Sequence, residues 1–190
     1  TFIDYANIRE SRLMFGSGGK DGGKFNTPRN VTVDKENNII VCDSENRRIQ
    51  IFDQDGALKR MLCVRGLKEG EHDRITAAAV DRSNNNNIVL FAPDTHQIVI
   101  FDSIAKETIL RFGEMGGNES QFCRPQSICI DHFNRIIVCD TWNHRIQIFD
   151  IRGRHILSFG SEGNQDFQFN RPRGVTVNQF NQILVCDSFN

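Results

Sequence analysis

Short apolar runs, three to five residues long, recur along the chain between segments rich in Asn, Asp and Gly. In the first full unit these runs lie at 31–33, 39–42, 49–52 and 58–62. Short apolar or alternating runs bounded by turn residues are typical of β-strands. No stretch shows the longer periodicity of an amphipathic helix. The pattern therefore predicts four strands in each unit.

One stretch of sequence recurs in four related copies: IIVCDSENRRIQIFD at 39–53, IVLFAPDTHQIVIFD at 88–102, IIVCDTWNHRIQIFD at 136–150 and ILVCDSFN at 183–190. The interval is 49 residues from Asp53 to Asp102 and 48 residues from Asp102 to Asp150. A period of this length, built from short strands, is typical of β-propeller blades and not of helical solenoids.

We predict an all-β fold, a β-propeller of four-stranded blades. The predicted segments are 1–16 as the outer strands of a blade, 24–65, 71–113 and 121–160 as blades, and 168–190 as the inner strands of a truncated blade. With 38% hydrophobic and 25% charged residues, and no apolar run near the roughly 20 residues of a membrane helix, we expect a soluble chain without a membrane partner. The net charge of −1 gives no general attraction to nucleic acid, and no DNA partner is expected.

The six cysteines do not form an obvious disulfide or metal pattern. Cys42, Cys139 and Cys186 occupy the same strand position in different repeats, each followed by Asp. Repetition at one packing position favours buried free thiols and a reducing compartment. The other three cysteines lack metal-ligand spacing, so we predict no metal and no cofactor.

Comparison of the repeats indicates ion pairs inside the blades. The pairs are Asp43 with Arg48 and Asp140 with Arg145, and the second repeat has Ala92 and Gln97 at the same two places. Simultaneous loss of both partners is what an ion pair predicts, because losing one partner alone would leave a partly buried charge uncompensated. We therefore expect these four charged residues to be structural.

The repeats resemble NHL repeats. The resemblance rests on Asn143-His-Arg-Ile146, on Arg171-Pro-Arg-Gly-Val175, and on Phe-Gly pairs between blades at 15–16, 112–113 and 159–160. The version with Phe-Gly connectors is similar to the C-terminal domains of TRIM-NHL proteins. The resemblance implies six-bladed propellers in cytoplasmic regulators that bind RNA or protein, often with a ubiquitin-ligase module upstream. Since 190 residues hold about four repeats, we expect part of a six-bladed ring.

One end of the propeller is the predicted binding face. In a propeller, the turn between the two middle strands and the segment entering the innermost strand lie at the same end of the ring. That end combines cations, amides and the single Trp, which is typical of a binding surface. The predicted site residues are Arg29, Arg47, Arg124, Trp142, Asn143, His144, Arg171 and Arg173. Ordinary solvated turns are the alternative for Arg47 and His144.

Three functions are compatible with this face. The first is binding of single-stranded RNA, with bases stacked on Trp142 or Phe189, amides of Asn46 and Asn143 on base edges, and arginines on phosphates. The second is capture of a protein partner or ubiquitylation substrate. The third is a metal-dependent hydrolase or lyase with His96 and His144 as axial ligands. With two histidines and no known catalytic motif, we expect this domain not to be an enzyme, and RNA binding is the preferred hypothesis.

Overall fold

The computed structural model describes residues 13–64, 73–83, 87–104 and 106–190. Most of the segment 1–16, predicted to form outer strands, lies outside the described residues. Within them, the chain is all-β apart from two single-turn 3₁₀ helices, Ser44–Asn46 and Thr141–Asn143. Three four-stranded antiparallel sheets and one two-stranded antiparallel sheet follow one another along the chain, and a parallel two-stranded sheet lies in one connector.

Each antiparallel sheet is a blade whose strands are paired in sequence order. Blade one contains β1 (Pro28–Val33), β2 (Ile39–Asp43), β3 (Arg48–Phe52) and β4 (Leu58–Leu62). Blade two contains β5 (Ala77–Asp81), β6 (Asn87–Ala92), β7 (Gln97–Asp102) and β8 (Glu107–Phe112). Blade three contains β11 (Ser127–Ile130), β12 (Ile136–Asp140), β13 (Arg145–Phe149) and β14 (His155–Phe159), and blade four contains β15 (Gly174–Val177) and β16 (Ile183–Cys186).

The connector between blades two and three forms a small parallel pair of β9 (Glu114–Met115) and β10 (Gln121–Phe122). The first strands of the blades lie side by side, with β5 between β1 and β11 and with β11 between β5 and β15. These inner strands line a central cavity of about 630 Å³. The architecture is that of propeller blades arranged around an axis.

The hydrophobic core lies between blades and not within them. Residues of β6 alternate, since Leu90 faces blade one and Phe91 faces blade three, and both are fully buried. Phe122 of the connector fills the second interface, with its ring centroid 6.4 Å from Phe91 and 5.7 Å from Phe149. A strand that is buried on both faces appears in sequence as a continuous apolar run, which explains the run at 88–92.

Buried thiols belong to this packing. Cys42 and Cys139 are fully buried and free, whereas the equivalent Cys186 is exposed. Burial raises the pKa of the Cys42 thiol to about 12, and burial is also the main reason that the pKa of Cys139 is raised to about 12. Both thiols are therefore neutral at physiological pH and behave as small hydrophobic side chains.

Two ion pairs tie the blades to their connectors. Arg48 Nε lies 2.7 Å from Asp43 Oδ2 and Arg145 Nε lies 2.9 Å from Asp140 Oδ2, and both carboxylates are fully buried. The same carboxylates accept backbone N–H bonds from the connector, as Asp140 does from Cys123 at 2.8 Å. Each ion pair therefore holds a blade to the segment that leads into its first strand, a contact that we call the closing contact of the blade.

Blade two is closed by a different pair. Ala92 and Gln97 replace the two charged residues, and Arg111 of β8 instead donates to the buried Asp73 of the connector at 2.6 Å. The carboxylate thus lies on the entering segment and the guanidinium on the outer strand. The ion pair that is missing from the middle strands of blade two is replaced by one in a new position.

Candidate functional site

Hydrogen bonds of the backbone bring the predicted site residues to one end of the propeller. The N–H of Trp142 donates to Cys123 O at 3.1 Å, and the N–H of Glu45 donates to Asn26 O at 3.1 Å. These bonds hold the 3₁₀ turn between the middle strands against the segment that enters the inner strand. Residues of the turns and of the entering segments therefore share one surface, which we call the turn face.

Several positions on the turn face have left-handed backbone conformations. Arg124 (φ 47°) and Arg171 (φ 51°) precede the prolines that open the inner strands, and Arg47 (φ 52°) and His144 (φ 53°) end the 3₁₀ turns. Glycine is the residue that adopts this conformation without cost, and other residues lose roughly 1–2 kcal/mol there. Thr27, at the place of Arg124 and Arg171 in the first repeat, has the same conformation (φ 51°), so this backbone geometry belongs to the repeat.

Five side chains form an alternating row of arginines and aromatic rings across blades three and four, which we call the Arg–aromatic ladder. The guanidinium carbons of Arg124 and Arg171 lie 4.9 Å and 4.6 Å from the centre of the Trp142 ring. Arg171 also lies 5.7 Å from the Phe189 ring, and Arg173 lies 5.1 Å from it. Trp142 is 43% exposed and Phe189 is 52% exposed, so much of both rings remains open to solvent.

A groove runs beside the ladder toward the axis. It has a volume of about 300 Å³ and is lined by Arg29, Gln126, Thr141, Trp142, Arg171 and Arg173. The groove therefore joins the entering segment of blade one to the ladder. Arg29, which lies in the first repeat, is brought next to residues more than 140 positions away in sequence by the curvature of the arc.

Charge is distributed unevenly over the turn face. Over blades one and two, Asp94 pairs with Arg47 at 3.1 Å and with Arg74 at 2.9 Å, and Glu45 pairs with Arg74 at 3.3 Å. No carboxylate of the described residues lies within ion-pair distance of the four arginines of the ladder and groove, which are Arg29, Arg124, Arg171 and Arg173.

The structure changes the assignment of Asn143. Its side-chain amide donates to Gly116 O at 2.8 Å and to Asp140 Oδ2 at 2.9 Å, so neither amide hydrogen is left for a base edge. Asn46 makes the equivalent bonds to Gly19 O and Asp43. We therefore assign the amide hydrogens of Asn143 to the scaffold of blade three, so that its predicted contact with a ligand would have to use the Oδ1 atom.

Two further predicted site residues have partners within the protein. Arg47 is held by Asp94 of the next blade, which places it in the neutralised part of the turn face. His144 is half-buried, and its Nδ1 lies 3.2 Å from Phe169 O and 3.3 Å from the backbone N of Arg171. These contacts argue against the alternative of a freely solvated turn residue at His144, because the ring lies against the segment that carries Arg171.

The sequence prediction missed Arg74 and Gln126. Arg74 occupies the place in blade two that Arg124 and Arg171 occupy in the next blades, just before the inner strand. Its alignment with these residues, with Ile75 at the place of Pro125 and Pro172, was the available signal. Gln126 lines the groove from the first position after Pro125.

Among the described residues, no group of three or more His, Cys, Asp and Glu side chains is arranged to hold a metal ion. His96 and His144 stand in adjacent blades at equivalent positions, as the alternative hypothesis of axial ligands requires, but His144 already contacts Phe169 O. In the same described part of the chain, no helix has the length and apolar character needed to cross a membrane.

The sequence of this chain is similar to a known repeat family and to several known proteins. The sequence model of the NHL repeat matches residues 25–52 and 122–149. Protein brain tumor of Drosophila melanogaster is 33% identical over 139 residues, and B-box type zinc finger protein ncl-1 of Caenorhabditis elegans is 32% identical over 139 residues. Each match covers 73% of this chain, but only 13% and 16% of the two relatives. E3 ubiquitin-protein ligase TRIM71 of Bos taurus is 47% identical over 53 residues, which are 28% of this chain and 6% of the relative.

Solved structures show the same fold at low sequence identity. Hydrazine synthase of Kuenenia stuttgartiensis superposes with a TM-score of 0.63 at 14% identity, covering 88% of this chain and 44% of that structure. The WD40 propeller domain of Doa1 superposes with a TM-score of 0.57 at 16% identity, covering 86% and 47%. Virginiamycin B lyase of Staphylococcus aureus gives 0.61 at 13% identity, covering 84% and 48%. At these identities the likeness shows the propeller architecture alone.

Proposed function

Since this chain is an NHL-repeat β-propeller that resembles the C-terminal domains of TRIM-NHL proteins, we propose that it is a binding module for single-stranded RNA. The observation that supports the proposal is the Arg–aromatic ladder with its groove. Four arginines without carboxylate partners and two half-exposed rings lie together at one end of the arc.

The chemistry of this surface suits an unpaired strand. Base–aromatic stacking is worth about 1–3 kcal/mol per base and tolerates any sequence, because every base has a π-face. Guanidinium groups also stack on bases, and they neutralise phosphates. The alternating order of the ladder offers both contacts at successive places along the strand. A double helix presents no free base faces, so the ladder favours RNA that is single-stranded.

Pairing with a buried carboxylate separates the structural arginines from those that we propose bind RNA. Arg48 and Arg145 are closed into their blades by Asp43 and Asp140, and we assign them no contact with RNA. Arg29, Arg124, Arg171 and Arg173 remain for the phosphates. The resemblance to TRIM-NHL proteins also favours a cytoplasmic location, where the free thiols of Cys42 and Cys139 would stay reduced.

The test starts from a randomised pool of single-stranded RNA, from which bound sequences are enriched and then measured by fluorescence anisotropy. Trp142→Ala should weaken binding of an enriched sequence by about 1–3 kcal/mol, roughly 5-fold to 150-fold, through lost stacking. Trp142→Phe is the matched variant, and it should retain most of the affinity because it keeps a ring face. A pool that yields no enrichment would refute RNA binding.

Salt dependence tests the arginines separately. Arg173→Ala should lower the slope of log affinity against log salt by roughly one phosphate contact. Arg152→Ala removes the same charge from an exposed turn at the opposite end of blade three, and it should leave both affinity and slope unchanged. Equal effects of the two substitutions would show that binding depends on net charge and not on the ladder.

A protein partner is the second candidate, favoured by the ion pairs over blades one and two. Arg47, Arg74, Glu45 and Asp94 present both signs of charge beside the ladder, as protein interfaces commonly do. In a ubiquitin ligase such a partner would be the substrate. If no RNA is enriched, while a partner captured from cell lysate is lost on Trp142→Ala, the protein-binding function replaces the RNA-binding one.

A further inference from the structure

A second pocket opens on the turn face above blade two. Its volume is about 430 Å³, and arginines from three successive blades, Arg29, Arg74 and Arg124, contribute to its lining. Thr76 and His96 of blade two lie between them. Arg29 and Gln126 line both this pocket and the groove of the ladder, so the two depressions adjoin. The RNA-binding ladder does not use Arg74, Thr76 or His96.

Three polar atoms at this pocket are buried without a hydrogen-bond partner among the described residues. They are Arg74 Nε, Thr76 Oγ1 and His96 Nδ1. Buried polar atoms are almost always paired, and an unpaired one is unfavourable. The equivalent atom in blade three, His144 Nδ1, has partners in Phe169 and Arg171. The unmet hydrogen-bonding capacity is therefore a particular property of blade two.

The charges around the pocket leave an excess of positive charge. The two carboxylates nearby, Glu45 and Asp94, are engaged by Arg47 and by the terminal nitrogens of Arg74. These contacts orient the Arg74 guanidinium but leave its Nε free. Arg29 and Arg124 have no carboxylate partner in the described part of the chain. Two uncompensated cations match a group that carries close to two negative charges.

We propose that the pocket above blade two binds a phosphate monoester. Such a group carries a charge of about −1.5 to −2 at pH 7 and three strong acceptor oxygens, whereas a phosphodiester carries one charge. Arg29 and Arg124 supply the compensating charge, and Arg74 Nε and the Thr76 hydroxyl donate hydrogen bonds after small side-chain rotations. His96 donates as well when the proton lies on Nδ1.

Two sources can supply the same group. One is a small phosphorylated molecule, and the other is the terminal phosphate of an RNA strand whose body lies on the ladder. The second source rests on the proposed function. Because Arg29 and Gln126 line both the pocket and the groove, the end of an RNA strand on the ladder can reach the pocket. In that form the pocket would select RNA by its phosphorylated end.

The experiment uses inorganic phosphate as the first probe, with sodium chloride at equal ionic strength as the reference. Phosphate should raise the melting temperature of the protein and give a saturable binding isotherm by calorimetry. Thr76→Val keeps the branched shape but removes the hydroxyl, and it should weaken phosphate binding at least tenfold without lowering stability, because it also removes an unpaired buried polar atom. Arg152→Ala, which removes a charge from an exposed turn at the opposite end of blade three, is the control and should bind phosphate normally.

The second arm compares one RNA sequence with a 5′-phosphate, a 3′-phosphate and hydroxyl ends. One phosphorylated form should bind at least tenfold more tightly than the hydroxyl form, and Thr76→Val should abolish the difference. Phosphate binding without this gain would assign the pocket to a small phosphorylated molecule. If hydroxyl RNA fails to bind while phosphate binds, the proposed function fails and the pocket stands. If hydroxyl RNA binds but neither free nor terminal phosphate does, or Thr76→Val has no effect, the pocket proposal is overturned.

Discussion

At the scale of the single residue, burial decides how much an ion pair contributes to the free energy of unfolding. Two of the arginine–carboxylate pairs of blade three have similar lengths, Arg145 with Asp140 at 2.9 Å and Arg154 with Asp150 at 2.6 Å. The Arg145 side chain is 13% exposed and the Arg154 side chain is 75% exposed. Arg145 also donates to Gly117 O and Gln121 O, so it holds the connector.

We expect Arg145→Ala to lower the free energy of unfolding by about 3 kcal/mol, because it leaves the buried Asp140 charge without a cation. Arg154→Ala should cost less than about 1 kcal/mol, as exposed pairs do. Urea denaturation of the two variants measures both values. Similar losses would contradict the division between structural and surface arginines.

Asp131 should make stability depend on pH. Burial alone would raise its pKa, but hydrogen bonds from the side chain and backbone of Arg135 and from Asn181, with the Arg135 charge, lower the pKa below its ordinary value. Because the pKa is depressed in the folded state, the stabilisation is present above the unfolded pKa of about 3.9 and is lost as pH falls through the folded value. Asp131→Asn should flatten the loss of stability below about pH 4, measured by urea denaturation at several pH values. An unchanged acid limb would contradict this assignment.

Blade two shows, at the scale of the element, that a blade can be closed in more than one way. The buried pair Asp73 and Arg111 joins the entering segment to β8, while the middle strands carry Ala92 and Gln97. Both arrangements connect a blade to the segment that precedes it. The closing contact is thus a requirement of the fold, while its place in the blade is variable.

Arg111→Ala should destabilise the protein by about 3 kcal/mol, since Asp73 would remain buried and unpaired. Glu107→Ala, an exposed position on the same strand, is the matched control and should change stability by no more than roughly 0.5 kcal/mol. Chemical denaturation measures both, and hydrogen exchange should localise the loss to blade two. A cost below 1 kcal/mol for Arg111→Ala would show that Asp73 does not depend on it.

The sequence was sufficient to predict the strands, and comparison of repeats supplied the register that pairs Asp43 with Arg48. The pair of Asp73 and Arg111 could not be predicted, because it has no equivalent in the other repeats. The same distinction holds in the site. Arg124 and Arg171 share a position in the repeat and could be placed on one face, whereas the bond from Asn143 to Gly116 O depends on how a connector folds back over the blade.

The blades depend on one another at the scale of the whole molecule. Each core cluster combines two neighbouring blades, as Ile49 with Leu90 in the first and Phe91 with Ile136 in the second. Stability in such an arrangement comes from interfaces between repeats as well as from each repeat. A single blade would expose both of its apolar faces to water.

The fragment 121–160, one complete blade, should therefore fail to fold alone. We expect no cooperative thermal transition in its circular dichroism and no protected amides in hydrogen exchange, because the interfaces that bury Ile136 and Ile137 are absent. The whole chain is the comparison. A sigmoidal transition of the isolated fragment would show that a blade is stable without its neighbours.

The displaced ion pair of blade two also bears on misfolding. A chain of near-identical repeats can pair a strand with the wrong blade, because the apolar patterns of the copies are interchangeable. If β12 took the place of β6, Asp140 would be buried opposite Gln97, with no cation to neutralise it. The pair of Asp73 and Arg111 would then enclose a strand from another blade. We expect the unlike ion pairs to make such exchanges unfavourable, because each exchange would leave a buried charge without its counterion.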